Sequence, residues 1–167
     1  LAVNLTHHSQ CAECIAGSYC SAGIVTNQCS AGYFCRSSQG SPTPTIQISA
    51  ENVFNADWWD KLDGGPCPPG HYCPQGSENP TPCQNDTMRL ITHGATRFDC
   101  EICPEGYHCI AGLLAPIPCA LGSYCEHGEP ETPCPLGTFS NQSARISVND
   151  CLQCPAGEVC NSTGLSD

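Results

Sequence analysis

The stretch CEICPEGYHCIAGLLAPIPCALGSYC, residues 100–125, carries one short phrase twice. In Cys103–Cys109 and in Cys119–Cys125, a cysteine is followed by two residues, a glycine, two residues and a second cysteine. The same Cys-x-x-Gly-x-x-Cys phrase occurs at Cys14–Cys20, Cys29–Cys35, Cys67–Cys73 and Cys154–Cys160, six copies in all. Self-similarity of this kind marks a repeat architecture. A glycine at one fixed offset (Gly17, Gly32, Gly70, Gly106, Gly122, Gly157) marks a backbone position of positive φ, or one with no room for a side chain. The residue before the closing cysteine is aromatic in Tyr19, Phe34, Tyr72 and Tyr124, so a ring there can lie across a neighbouring disulfide.

A wider element accompanies the phrase. Cys83, Cys100 and Cys103 recur 51 residues later as Cys134, Cys151 and Cys154. CPLGTFS at Cys134 begins like the phrase, but Ser140 stands where the closing cysteine belongs. A phrase present in variable number is most simply closed on itself. The expected pairs are therefore Cys14–Cys20, Cys29–Cys35, Cys67–Cys73, Cys103–Cys109, Cys119–Cys125 and Cys154–Cys160, with wide loops closed by Cys83–Cys100 and Cys134–Cys151. In the first repeat Thr45 and Gly64 fall at both ends of the absent wide bond, as lost partners should. Cys11 is left over, and its partner is expected outside this chain. Spacing alone does not fix connectivity, and the interleaved pairing Cys103–Cys119 with Cys109–Cys125 stays open.

Composition bounds the class. Seventeen of 167 residues are cysteine, and glycine (16) and proline (15) are abundant. That is the range of a disulfide scaffold, whose stability comes from covalent staples in place of a large core. So many staples imply an oxidising, extracellular or cell-surface setting. A net charge of −11 with five basic residues argues against nucleic acid and anionic membrane. No apolar run approaches the roughly 20 residues a membrane span needs. LAVNLTHHSQ lacks the features of a signal peptide, so a processed chain or an excerpt of a longer one is expected. Asn4, Asn85, Asn141 and Asn161 head Asn-x-Ser/Thr acceptor strings for N-linked glycan, whereas Asn79 is followed by Pro80.

Metal, redox and catalytic readings are weak. Cys11/Cys14, Cys100/Cys103 and Cys151/Cys154 have zinc-knuckle spacing, but zinc needs reduced thiols. Glu126, Glu129 and Glu131 share a turn-rich loop without the ligand spacing of a calcium site. No nucleophile–base arrangement or phosphate loop is present, and no catalytic residue, cofactor or metal is assigned.

CEICPEGYHC and CPLGTFSNQSARISVNDCLQCPAGEVC resemble the ephrin-receptor-like cysteine-rich repeats of extracellular proteins, distantly similar to tumour-necrosis-factor-receptor modules. Residues 134–160 match best, and 100–134 and 67–83 match in part. The resemblance implies an extracellular, non-catalytic, elongated module. This chain departs from the pattern by closing its short phrases with an extra cysteine.

Residues 45–66, TIQISAENVFNADWWDKLDGGP, contain both tryptophans and no cysteine. TIQIS alternates like a strand, and Phe54, Trp58, Trp59 and Leu62 have the spacing of a short amphipathic helix. Two readings compete. The apolar groups pack on one another as a mini-core, or Ile46, Ile48, Phe54, Trp58 and Trp59 form a contact surface for another chain. SPTPT at 41–45 reads as a connector or an O-glycosylated linker.

The expected fold is small and disulfide-rich: an elongated array of short β-hairpin and turn modules with little regular secondary structure and no single large core. The expected divisions are repeat 1 at 1–44, the insert at 45–66, repeat 2 at 67–99, repeat 3 at 100–150 and the start of repeat 4 at 151–167. The expected function is structural, a segment of an extracellular glycoprotein in a filament, surface appendage or matrix, with copies of itself or neighbouring repeats as partners. The ectodomain of a ligand-binding receptor is the alternative.

Overall fold

In a computed structural model the described residues are 14–21, 24–46, 58–113 and 115–167. The chain divides into two compact bodies. One comprises Leu1–Pro82 and Arg89–Cys100, the other Cys83–Met88 and Glu101–Asp167. Both are small, disulfide-rich and built from short two-stranded antiparallel hairpins, with no large core among the described residues. The buried apolar residues among those described are mostly cysteines and prolines, with Phe34 the one large hydrophobic side chain among them.

Six of the seven described hairpins are made in the same way. The glycine of a phrase sits third in a tight turn closed by a bond from the residue after it, as in Tyr107 N–H to Pro104 O at 3.2 Å. Gly17, Gly32, Gly70, Gly106, Gly122 and Gly157 all have φ between 74° and 95°, the left-handed region that this turn demands. The residues after the turn then form a strand that pairs with the residues just before the next phrase. In the first body these pairs are β1 (Ser18–Ser21) with β2 (Ile24–Gln28), β3 (Tyr33–Cys35) with β4 (Gly64–Pro66), and β5 (His71–Tyr72) with β6 (Thr81–Pro82). In the second body they are β7 (Thr87–Met88) with β8 (Glu101–Ile102), β9 (Tyr107–His108) with β10 (Ile117–Pro118), β11 (Ser123–Tyr124) with β12 (Thr132–Pro133), and β13 (Thr138–Phe139) with β14 (Leu152–Gln153). The insert is thus the loop of one unusually long hairpin, β3–β4.

Successive phrases are stacked by backbone bonds. The N–H of Gly106 donates to Cys125 O at 3.0 Å, and Gly106 O accepts from Cys119 N–H at 2.9 Å. Gly32 does the same with Cys73 O and Cys67 N–H, both at 2.8 Å. Gly17 follows with Cys35 and Cys29, and Gly137 with Cys160 and Cys154. A tail beyond each closing position then runs back alongside the preceding phrase. It leaves parallel bridges at Tyr19–Gln39, Tyr124–Arg145 and Phe139–Leu165. The tail turns through a second left-handed residue, three or four places past the closing position: Ser38, Gly76, His93, Gly112, Gly128, Ala144 or Gly164.

Residues 83–89 complete the pattern in a form the sequence disguises. Asp86 has φ 61° and occupies the glycine position, and Arg89 occupies the closing position. Asp86 N–H donates to Cys109 O and its carbonyl accepts from Cys103 N–H, both at 2.8 Å, as a phrase glycine does. An aspartate tolerates this conformation better than most side chains, so the turn survives without glycine.

Candidate functional site

Six phrases are closed on themselves. Disulfides join Cys14 to Cys20, Cys29 to Cys35, Cys67 to Cys73, Cys103 to Cys109, Cys119 to Cys125 and Cys154 to Cys160. Their Cα–Cα distances of 5.7 Å to 6.1 Å are ordinary for a disulfide. In the phrase that ends in Ser140, Cys134 instead bonds Cys151, which stands at the base of β14. Ser140 is buried and its hydroxyl donates to Gln142 O at 3.0 Å. Cys83 and Cys100, at the corresponding positions, are also in disulfides. Cys11 and Asn4 lie outside the described residues.

Where the closing cysteine is missing, the tail carries a capped turn. Asp99 Oδ2 accepts from the backbone N–H groups of Thr96 and Ala95, both at 2.8 Å. The Thr96 N–H foremost, then the Ala95 N–H, hold the Asp99 carboxyl below its ordinary value against an opposing desolvation, with lesser help from the nearby Arg89 charge and the Thr96 hydroxyl. Arg89 donates to Asp99 O at 2.8 Å and to Thr92 O at 3.2 Å. Asp150 repeats the cap in the other copy, accepting from Ile146 and Ser147 N–H.

The described part of the insert folds inward. Residues Trp58–Lys61 form a single 3-10 turn where the spacing predicts a short helix. Of the predicted strand TIQIS, Thr45 and Ile46 are described and lie outside any strand, while Ile48, like Phe54, falls outside the described residues. Ile46 lies over Gly65, so close that a Cβ there would meet its Cγ1 at 2.8 Å. Trp59 is half-buried and packs with Leu62 on the cluster of Phe34, Cys67 and Cys73. Its ring meets Phe34 edge-on at 6.5 Å between centroids and His71 at 5.0 Å. Phe34, the residue before a closing cysteine, thus lies against the next phrase's disulfide. Trp59 Nε1 is buried without a hydrogen-bond partner among the described residues. For Trp58 only the backbone is described.

Arg36 fastens this loop. Its guanidinium carbon stands 5.5 Å from the ring centroids of both Phe34 and Trp59. Nη1 donates to the carbonyls of Leu62 (3.1 Å), Trp59 (3.4 Å) and Asp60, and Nε to Asn79 Oδ1 at 2.7 Å. Asp60 completes an ion pair at 3.4 Å.

The sequon asparagines of the described residues are all exposed. Asn85 alone among them has its side chain fixed: Oδ1 accepts from Ala111 N–H at 3.0 Å. Glu131 separates from its acidic neighbours. Its Oε1 accepts from Ala120 N–H at 2.8 Å and its Oε2 stands 3.8 Å from His108 Nδ1, while Glu126 and Glu129 border another cavity with Glu105 and His127. Among the described residues, one histidine–cysteine group brings its ligand atoms within 4.8 Å of one another: His108, Cys119 and Cys125. Both sulfurs are tied up in the disulfide, so neither is a thiolate that could hold a cation. No helix is long and apolar enough to cross a membrane among the described residues.

No family model matches the chain, and no curated protein is found similar to it.

Proposed function

We propose that this chain is a structural, non-catalytic segment of an extracellular glycoprotein, an array of cysteine-rich phrases that serves in a filament, surface appendage or matrix. The observation that carries the reading is the stacking step. It is made of backbone groups of one left-handed residue and of the next phrase's first and closing positions, as at Gly106 with Cys119 and Cys125. One phrase can therefore follow another with no new side-chain chemistry, which is how repeat arrays extend. The disulfide density is the chemistry of an oxidising compartment. The exposed sequons at Asn85, Asn141 and Asn161 are compatible with export. Partners on this reading are further phrases of the same kind, in copies of this chain or in a longer one; Trp59 and Ile46, which pack inward on Phe34 and Gly65, favour the mini-core reading of the insert over a contact surface.

Negative-stain microscopy of native material, isolated without reductant, tests the reading. Regular polymers that disperse on reduction are expected. Isolated single molecules would remove the assembly reading and leave the receptor-ectodomain alternative.

A further inference from the structure

We propose that the N-linked glycan of Asn85 is seated on the protein: its first N-acetylglucosamine packs into the groove lined by Asn85, His108, Ile110, Pro130 and Glu131. The inference rests on reading the chain as an exported glycoprotein, and it adds a modification site with a defined seat.

The Asn85 side chain is oriented for it. The Ala111 N–H takes the amide oxygen, at 3.0 Å, and leaves the amide nitrogen, the atom to which glycan is joined. A glycan therefore starts from a fixed direction instead of a free rotor. Asn85 is itself part of the wall of a cavity of about 270 Å³. That gives room for a pyranose ring and its acetamido arm.

The wall has the mixed character a sugar requires. Ile110, 49% exposed, and Pro130 offer an apolar surface for the C–H face of the ring. Leaving Ile110 open to water forgoes burial energy that a covering sugar would recover. Glu131 and His108 offer polar groups for hydroxyls and the acetamide. This polar edge is preset, because Glu131 is held by Ala120 N–H at 2.8 Å and stands 3.8 Å from His108. The other described sequons lack this arrangement. Asn141 borders a smaller cavity of about 210 Å³, and no described hydrogen bond fixes its side chain. Asn161 is exposed and likewise unheld.

The test is site-resolved release by an endoglycosidase that cuts between the two core N-acetylglucosamines. The whole chain is secreted from a eukaryotic host that adds high-mannose glycans, and glycopeptides are followed by mass spectrometry. In the native protein, release at Asn85 is expected about tenfold more slowly than at Asn161, the protection that a seated-to-free ratio of about ten gives. The rates should become equal once the protein is reduced and unfolded. Ile110→Ser and Pro130→Ser change exposed side chains and should each speed native release at Asn85 without touching Asn161. Equal native rates at Asn85 and Asn161, or an Asn85 that carries no glycan while Asn161 does, overturn the proposal. Slow release from material that proves monomeric supports the seat and removes only the assembly reading.

Discussion

The backbone N–H of Gly122 donates to the carbonyl of Ser140 at 2.8 Å, across a step where the receiving phrase has no closing cysteine. The equivalent bond from Gly106 reaches Cys125, which is in a disulfide, at 3.0 Å. Stacking is therefore indifferent to whether the closing residue is a cysteine. The disulfide takes two forms: first cysteine to closing cysteine, or, where the closing cysteine is absent, first cysteine to the base of the returning strand of the same hairpin, as Cys134 to Cys151 before β14.

Exchanging the two forms should preserve the fold. In the double variant Ser140→Cys with Cys151→Ser, Cys134 is expected to bond the new thiol, because Ser140 is buried at the closing position. The bond would span six residues instead of the seventeen of Cys134–Cys151. By the chain-entropy argument the shorter loop stabilises less, by about 1 kcal/mol. Peptide mapping should find the new bond and thermal unfolding a modest fall. Scrambled disulfides in this variant would show that the frame is not modular.

Two glycines with nearly the same backbone angle should respond differently to alanine. Gly106 and Gly137 have φ of 79° and 81°. A Cβ on Gly106 would meet Ala144 O at 2.6 Å, whereas one on Gly137 meets nothing within 4 Å. Gly137→Ala is expected to cost only the left-handed strain, about 1 kcal/mol. Gly106→Ala adds a backbone collision and should cost about 3 kcal/mol or prevent correct disulfide formation. Equal losses, measured by thermal unfolding and secreted yield, would mean that the stacked tails do not approach as closely as Ala144 does here.

The phrase is legible in the sequence because its two defining chemistries, a disulfide and a left-handed turn, each demand one residue type at a set offset. The copy at 83–89 is not, because both marks are replaced at once, by Asp86 and Arg89. Its one surviving signal is a cysteine three residues before an aspartate, a residue that tolerates φ of 61°. The stacking bonds leave no trace either, since backbone groups carry no identity. The tail positions Ser38, His93 and Ala144 show why: three different side chains hold one conformation that the neighbouring phrase imposes. For the insert, the apolar spacing points to Trp59 and Leu62 but not to Arg36, whose role depends on Phe34 and Asn79 arriving from elsewhere in the chain.

Asp99 should make the turn at 96–99 acid-sensitive. Its carboxyl is held below the ordinary value of 3.8, first by the Thr96 N–H. A carboxyl depressed in the folded state stabilises it fully above the unfolded value, and the stabilisation is lost as pH falls through the folded value. The loss should therefore be confined below about pH 4. Carbon-detected NMR titration should place the Asp99 midpoint below that of an unstructured peptide. Asp99→Asn should flatten the acid dependence in that window alone and leave the pH dependence near neutrality unchanged. A midpoint at or above the peptide value would break the link between the cap and the titration.

The Trp59 cluster should behave as a cooperative unit. Truncating Trp59 to alanine removes an indole that is half-buried against Phe34, Leu62 and His71. A loss of about 2 kcal/mol is expected, below that of a fully buried tryptophan. Arg36→Gln removes the guanidinium over both rings and its bonds to the carbonyls of Trp59, Asp60 and Leu62. Cation–π attraction and charged hydrogen bonds together make this worth about 1–2 kcal/mol. Because the two side chains touch, their effects should not add, and a double-mutant cycle should return a coupling of at least about 0.5 kcal/mol. The same variants separate packing from assembly. If Trp59→Ala lowers the melting temperature but leaves assembly of the surviving folded material unchanged, the indole's role is internal to the loop. If assembly falls at unchanged melting temperature, the ring is a contact between chains.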